Sequence, residues 1–252
     1  MKMISKILGV VSTVTLMSSM SIANENIKTA HEWGYTGHNS PESWGSISPK
    51  NKMCAIGKNQ SPINITTTLH IDLDELKISY NGSSNKVVNN GHTIEVVVGD
   101  DNTIVLDKMI FNLKQFHFHS PSENKIDGKS FPLEGHFVNV DKDGNIAVIA
   151  VMFEYGKENK VLSKIWNKMP IKEGEENKLE LKKIASELLP TNMAHYHFNG
   201  SLTTPPCTEG VRWIVLKTPV TVSKEQVKKF LNIMKHTNNR PVQPVNARVV
   251  ID

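Results

Sequence analysis

Through the middle of the chain run short segments whose apolar residues either alternate with polar ones at a period of two or follow one another without a break, the patterns of half-buried and fully buried β-strands. They predict strands over residues 86–88, 93–98, 103–106, 113–119, 134–140, 146–153 and 211–217. Asn81-Gly82, Asn90-Gly91, Asp127-Gly128 and Asp143-Gly144 separate or flank these runs, where Gly or Asn can supply the positive φ of a tight turn. Helical spacing is confined to two peripheral stretches. Val161, Leu162, Ile165, Trp166 and Met169 form one apolar stripe, and Ser223 with Gln226 makes a capping box ahead of Val227, Phe230, Leu231 and Met234. The fold class is therefore mainly β with peripheral helices (α+β), without internal repeats or low-complexity segments.

The start of the chain reads differently. Lys2 and Lys6 precede an uncharged apolar run from Ile7 to Met17, and Ser21-Ile22-Ala23 supplies small residues, so residues 1–23 are expected to be a secretory signal cut after Ala23. An uncleaved anchor is the alternative. Residues 24–252 then suit one domain, outside the cytoplasm and free of the membrane once the signal is removed. The formal net charge of +4 loses two lysines with the signal, which leaves no basic tract to suggest nucleic-acid binding. The two cysteines, Cys54 and Cys207, favour one disulfide in an exported protein, the alternative being two buried thiols.

The strongest chemical signal is His117-Phe118-His119. In a strand both imidazoles project from one face while Phe116 and Phe118 point the other way. His136 lies in a second strand-like run that an antiparallel return could bring alongside. Three neutral imidazoles with one open position describe a catalytic zinc site. Glu134 and Gln115 each stand two residues before a histidine, on its strand face, placed to accept the second ring N–H as metal-bound histidines require.

Gln115-Phe116-His117-Phe118-His119, Glu134-Gly135-His136, Asn90-Gly91-His92 and Gly200-Ser201-Leu202-Thr203-Thr204-Pro205-Pro206 together resemble the α-class carbonic anhydrases, specifically their secreted bacterial branch. Trp33-Gly34-Tyr35, Pro41-Glu42-Ser43-Trp44-Gly45, the run from Lys58 to Ile65 and that from Asn239 to Pro244 extend the similarity over nearly all of residues 24–252. The resemblance implies a single domain around a large, mostly antiparallel twisted sheet. It also implies one zinc ion on His117, His119 and His136, and attack of zinc-hydroxide on carbon dioxide to give bicarbonate.

By the same resemblance, Thr203 is the gatekeeper that donates to Glu123 and accepts from zinc-hydroxide. A hydroxyl has one proton, so giving it to Glu123 leaves Thr203 an acceptor toward the bound group. His92 matches the proton shuttle, and Tyr35 and Asn90 match polar positions that order water toward it. Val138, Val148, Leu202, Val211 and Trp213 match the apolar wall for carbon dioxide, with Thr204 beside them. Sulfonamides and inorganic anions are the expected inhibitors and the periplasm or exterior the expected location; the sequence does not fix the oligomeric state, a homodimer being one option the resemblance offers.

Two positions depart from the pattern. Glu95 stands where relatives commonly carry an amide, and Asn124 replaces a histidine that often follows the counterpart of Glu123. Other readings remain open at this stage: a catalytically silent binding module on the same fold, or a different metalloenzyme such as a zinc hydrolase or copper protein. No acidic residue of a binuclear hydrolase motif accompanies His-Phe-His-Ser, and no thiolate or methionine joins the cluster as a soft copper ligand. Weak esterase activity would be a by-product of the same site.

Overall fold

The strand-like segments pair into one eleven-stranded sheet in a computed structural model, which describes residues 33–73 and 75–252. The expected signal, residues 1–23, lies outside the described residues. Along its main path the sheet runs Glu176–Lys178, Ser84–Asn89, Ile94–Val98, Met109–His119, Leu133–Val140, Ile146–Tyr155, Glu209–Leu216 and His195–Ser201. Asn102–Leu106 branches from Met109–His119 and carries Lys77–Tyr80 on its other side. Pairing is antiparallel except where Ile146–Tyr155 lies parallel to Glu209–Leu216 and Val220–Val222. The sheet is thus mixed and mostly antiparallel, as expected.

Each predicted strand is present with shifted ends. Lys77–Tyr80, Glu176–Lys178, His195–Ser201 and Val220–Val222 fall outside the prediction. They are short or rich in polar residues and are held by ladder bonds to a neighbour rather than by an apolar period of their own. The turn signals also divide. Gly91, Gly128 and Gly144 have φ of 83°, 75° and 86°. Gly82 is not among the positive-φ glycines; a Cβ there would come within 2.0 Å of the Asp100 carbonyl, so the residue serves close approach instead. The two-residue reversal between Leu106 and Met109 is made by Asp107 and Lys108, both with positive φ.

Apolar side chains cover both faces of the central strands, which is why Ile146–Tyr155 is buried over most of its length. One face packs Phe116, Phe118, Phe137, Ile149, Val151 and Phe153 against the helices Lys160–Trp166 and Lys224–Met234. The capping box forms as expected: Ser223 Oγ accepts from Gln226 N at 3.2 Å, and Gln226 Oε1 accepts from Ser223 N at 3.1 Å. Gln226 also bonds both backbone polar groups of Asn159, the N-cap of the other helix, so one side chain ties the two helices together. Met169 lies past the end of Lys160–Trp166 yet still packs in this core.

A β-bulge decides which face the histidines occupy. Phe111 and Leu113 enter the helix-side core, and so do Phe116 and Phe118. That sequence of positions breaks the period of two. The register with Leu133–Val140 shifts between Leu113 and Gln115, leaving Lys114 without a partner there. This extra residue turns Gln115, His117 and His119 to the face opposite the helices. Uninterrupted alternation from Leu113 would have placed them among the phenylalanines. No helix among the described residues is long and apolar enough to cross a membrane.

Candidate metal centre

The register sets the site in rows across the sheet. His117 lies directly opposite His136, with Glu95 on its other side, and His136 is followed by Ala150. The next row is Gln115, Val138, Val148, Trp213 and Phe198. A row of ring nitrogens therefore borders an apolar row.

Two of the imidazoles have one nitrogen hydrogen-bonded to a fixed acceptor, and the third has a carboxylate beside it. Gln115 Oε1 is 2.8 Å from His117 Nδ1, and the Asn238 carbonyl is 2.7 Å from His119 Nδ1. Glu134 Oε1 stands 3.0 Å from His136 Nε2. A carbonyl only accepts, so His119 carries its proton on Nδ1 and presents a lone pair at Nε2. That Nε2 is buried and has no protein hydrogen-bond partner. One ligand atom from each of the three histidines converges within 4.8 Å of the others. Convergent ring nitrogens from two buried histidines and one partly buried one fit a metal ion with nitrogen preference. Burial is the main influence pushing all three imidazoles toward the neutral form that such a metal needs; repulsion from neighbouring rings adds to it at His117 and His136, whereas the Asn238 carbonyl and the Glu134 charge oppose it at His119.

Two buried carboxylates complete the surround. Glu134 accepts from Glu123 N, Asn124 N and Asn124 Nδ2 at 2.6, 2.9 and 2.8 Å. Glu123 Oε1 accepts from Arg240 N at 2.8 Å. Its Oε2 lies 3.5 Å from His119 Nε2 and 3.8 Å from His136 Nδ1. Burial raises the Glu123 carboxyl well above its ordinary range, while the Arg240 N–H and the Thr203 side chain oppose that rise.

The apolar candidates are also gathered here. Val148, Val211 and Trp213 are buried in one cluster, with Val138 and Leu202 partly buried against it. The Trp213 ring meets His136 edge-on at 4.9 Å, and its Nε1 donates to the Ser201 carbonyl. Thr204 is partly exposed, and its carbonyl accepts from Cys207 N at 2.9 Å. At the rim, His92 stacks on Trp33 with ring centres 3.7 Å apart. Asn90 Oδ1 accepts from His92 N and Thr93 N, so this amide fixes the turn that carries His92. Tyr35 lies 6.5 Å from His92, and burial with the nearby Glu123 charge raises its hydroxyl well above the usual phenol range.

The model for the eukaryotic-type carbonic anhydrase family matches residues 39–252. The chain belongs to the α-carbonic anhydrase family. It is 52% identical to a carbonic anhydrase of Neisseria gonorrhoeae over 87% of each chain. It is 46% identical to one from Pectobacterium carotovorum over 95% of this chain and 98% of that one. Among solved structures, the α-carbonic anhydrase of Thermovibrio ammonificans in complex with the inhibitor sulfanilamide aligns with a TM-score of 0.86 at 51% identity. That alignment covers 87% of this chain and 98% of the other. The enzyme class is accordingly that of a carbonic anhydrase, a lyase.

Within this family framework the disulfide joins Cys54 to Cys207, with Cα atoms 5.1 Å apart. Around it the structure adds residues to which the sequence assigned no role. The Arg240 guanidinium donates to Gln60 Oε1, the Ser61 carbonyl and the Cys54 carbonyl. Gln60 donates in turn to the Cys207 carbonyl at 3.0 Å. Asn238 holds His119 by its carbonyl, Ser120 N by Oδ1 and the His92 and Phe118 carbonyls by Nδ2. Arg240 and Asn238 stand in and beside a motif that residue types alone do not interpret, because Asn238 grips His119 with a backbone carbonyl that any residue would supply.

Proposed function

We propose that this chain catalyses the reversible hydration of carbon dioxide to bicarbonate and a proton, with one zinc ion held by His117, His119 and His136. The observation that carries this reading is the convergence of three ring nitrogens, with Gln115 and the Asn238 carbonyl engaging the opposite nitrogens of His117 and His119 and Glu134 standing 3.0 Å from His136 Nε2. When bound, such a metal supplies Lewis acidity that makes hydroxide available from water near neutral pH.

The remaining work falls to side chains. Thr203 would donate its single proton to Glu123 and so accept from the reacting oxygen, aiming a lone pair at carbon dioxide. Val138, Val148, Leu202, Val211 and Trp213 would hold the apolar substrate, with Thr204 at the edge of the same pocket. His92 would relay the proton outward along water ordered by Tyr35 and Asn90. Support for that role comes from its place at the rim, with its ring held by Trp33 and its backbone by Asn90 and Asn238. Sulfonamides and inorganic anions are the inhibitors this reading expects. Residues 1–23 would direct residues 24–252 to the periplasm or the exterior.

Metal analysis together with stopped-flow carbon dioxide hydration tests the proposal. Stoichiometric zinc and hydration well above the buffer rate are expected. Bound zinc with hydration no faster than buffer would defeat it.

A further inference from the structure

Resting on that reading, we propose that His236 is a second proton acceptor at the mouth of this site, working in parallel with His92. Tyr35 links the two imidazoles: its ring centre lies 6.5 Å from that of His92 and 5.9 Å from that of His236. Both histidines thus border the one phenol whose hydroxyl senses the charge of Glu123.

The chain delivers His236 there through a defined path. The helix Lys224–Met234 ends at Lys235, whose φ of 68° turns the backbone. Two residues beyond His236, Asn238 accepts from His119 Nδ1 and donates to the His92 carbonyl. The segment bearing His236 is therefore fastened to a metal-site histidine and to the rim histidine at once.

Its ring chemistry suits the task. His236 Nδ1 lies 2.9 Å from the Thr237 carbonyl, which can only accept, so Nδ1 carries the hydrogen and Nε2 offers a lone pair. The ring is partly exposed, and so open to buffer. Its ionisable neighbours are Tyr35 from the N-terminal loop, His92 across that phenol, and Lys235 before it in the chain.

In the step proposed, a proton passes from water in the site along hydrogen-bonded waters and forms an N–H bond at His236 Nε2, giving an imidazolium. A buffer base then removes that proton and restores the neutral ring. No electron transfer is involved.

Hydration is measured in weak buffer for zinc-loaded wild type, His92→Ala, His236→Ala and the double variant, with and without imidazole. Ester hydrolysis and zinc content control for the intactness of the site. The double variant should be about tenfold slower than His92→Ala in weak buffer, recover with imidazole, and keep ester hydrolysis and zinc. A double variant equal to His92→Ala would overturn the role of His236. In the metal-free protein, nitrogen NMR should show neutral His236 as the Nδ1–H tautomer; the Nε2–H tautomer would also overturn it. A zinc-loaded wild type that does not hydrate carbon dioxide would defeat the carbonic anhydrase reading and this inference with it.

Discussion

Asn124 Nδ2 donates to Glu134 Oε1 at 2.8 Å, and Asn124 Oδ1 accepts from Ile63 N at 3.1 Å. This fully buried amide satisfies the carboxylate from a neutral side chain. The outer network is therefore closed around Glu134, which faces His136. Asn124→Ala should remove a donor from a buried carboxylate and leave Ile63 N unpaired. The expected cost is about 1–3 kcal/mol of stability, with zinc affinity falling about 10–100-fold. Chemical denaturation and zinc competition with a chelator measure the two effects, and unchanged zinc affinity would show that Asn124 does not orient His136 through Glu134.

His136→Ala removes one of three convergent nitrogens and leaves Glu134 without its ring partner. Most zinc binding and nearly all hydration should be lost while the strands persist. Full zinc retention at micromolar protein would refute the ligand assignment, and circular dichroism would check that the sheet survives.

Gly200 faces a crowded surface: a Cβ there would come within 2.1 Å of Ser61 Oγ and 2.9 Å of Trp213 Cδ1. Ser61 and Ser201 exchange backbone-to-hydroxyl hydrogen bonds beside it. Gly200→Ala should displace Trp213 or separate the serine pair, destabilising by about 1–3 kcal/mol. Equilibrium denaturation followed by tryptophan fluorescence reads both effects, and a wild-type midpoint and spectrum would contradict the close approach.

The bond between Cys54 and Cys207 closes a segment with a sequence separation of 153. Cys54→Ser with Cys207→Ser should lower stability by about 2–5 kcal/mol through the greater freedom of the unfolded chain. Because Arg240 bonds the Cys54 carbonyl and Glu123 together, hydration should lose heat resistance in parallel. Inactivation curves of the two proteins test this, and coincident curves would count against the coupling.

The sequence made the central strands legible through apolar, β-branched and aromatic content, alternating where one face is less covered and continuous where both are buried, as in Ile146–Tyr155. It made the histidines, Gln115 and Glu134 legible because a period of two places them on one side. Asn238 escaped because its grip on His119 is a backbone carbonyl, which carries no residue-type signature. The strand His195–Ser201 escaped because His195, His197 and Asn199 dilute its apolar content, although Phe198 and Gly200 pack beneath Trp213. The Oδ1 of Asn90 accepts from two backbone N–H groups of its own turn, a use of the amide that residue type alone does not reveal.

The unpaired Lys114 acts as a parity switch for the chemistry downstream of it. Everything from Gln115 to His119 inherits its orientation from that one surplus residue, and Lys114 itself is exposed. A side-chain substitution there should be nearly silent. Deletion of the same residue would instead bring His117 and His119 to the helix side and Phe116 and Phe118 to the metal side, so site formation is far more sensitive here to chain length than to residue identity.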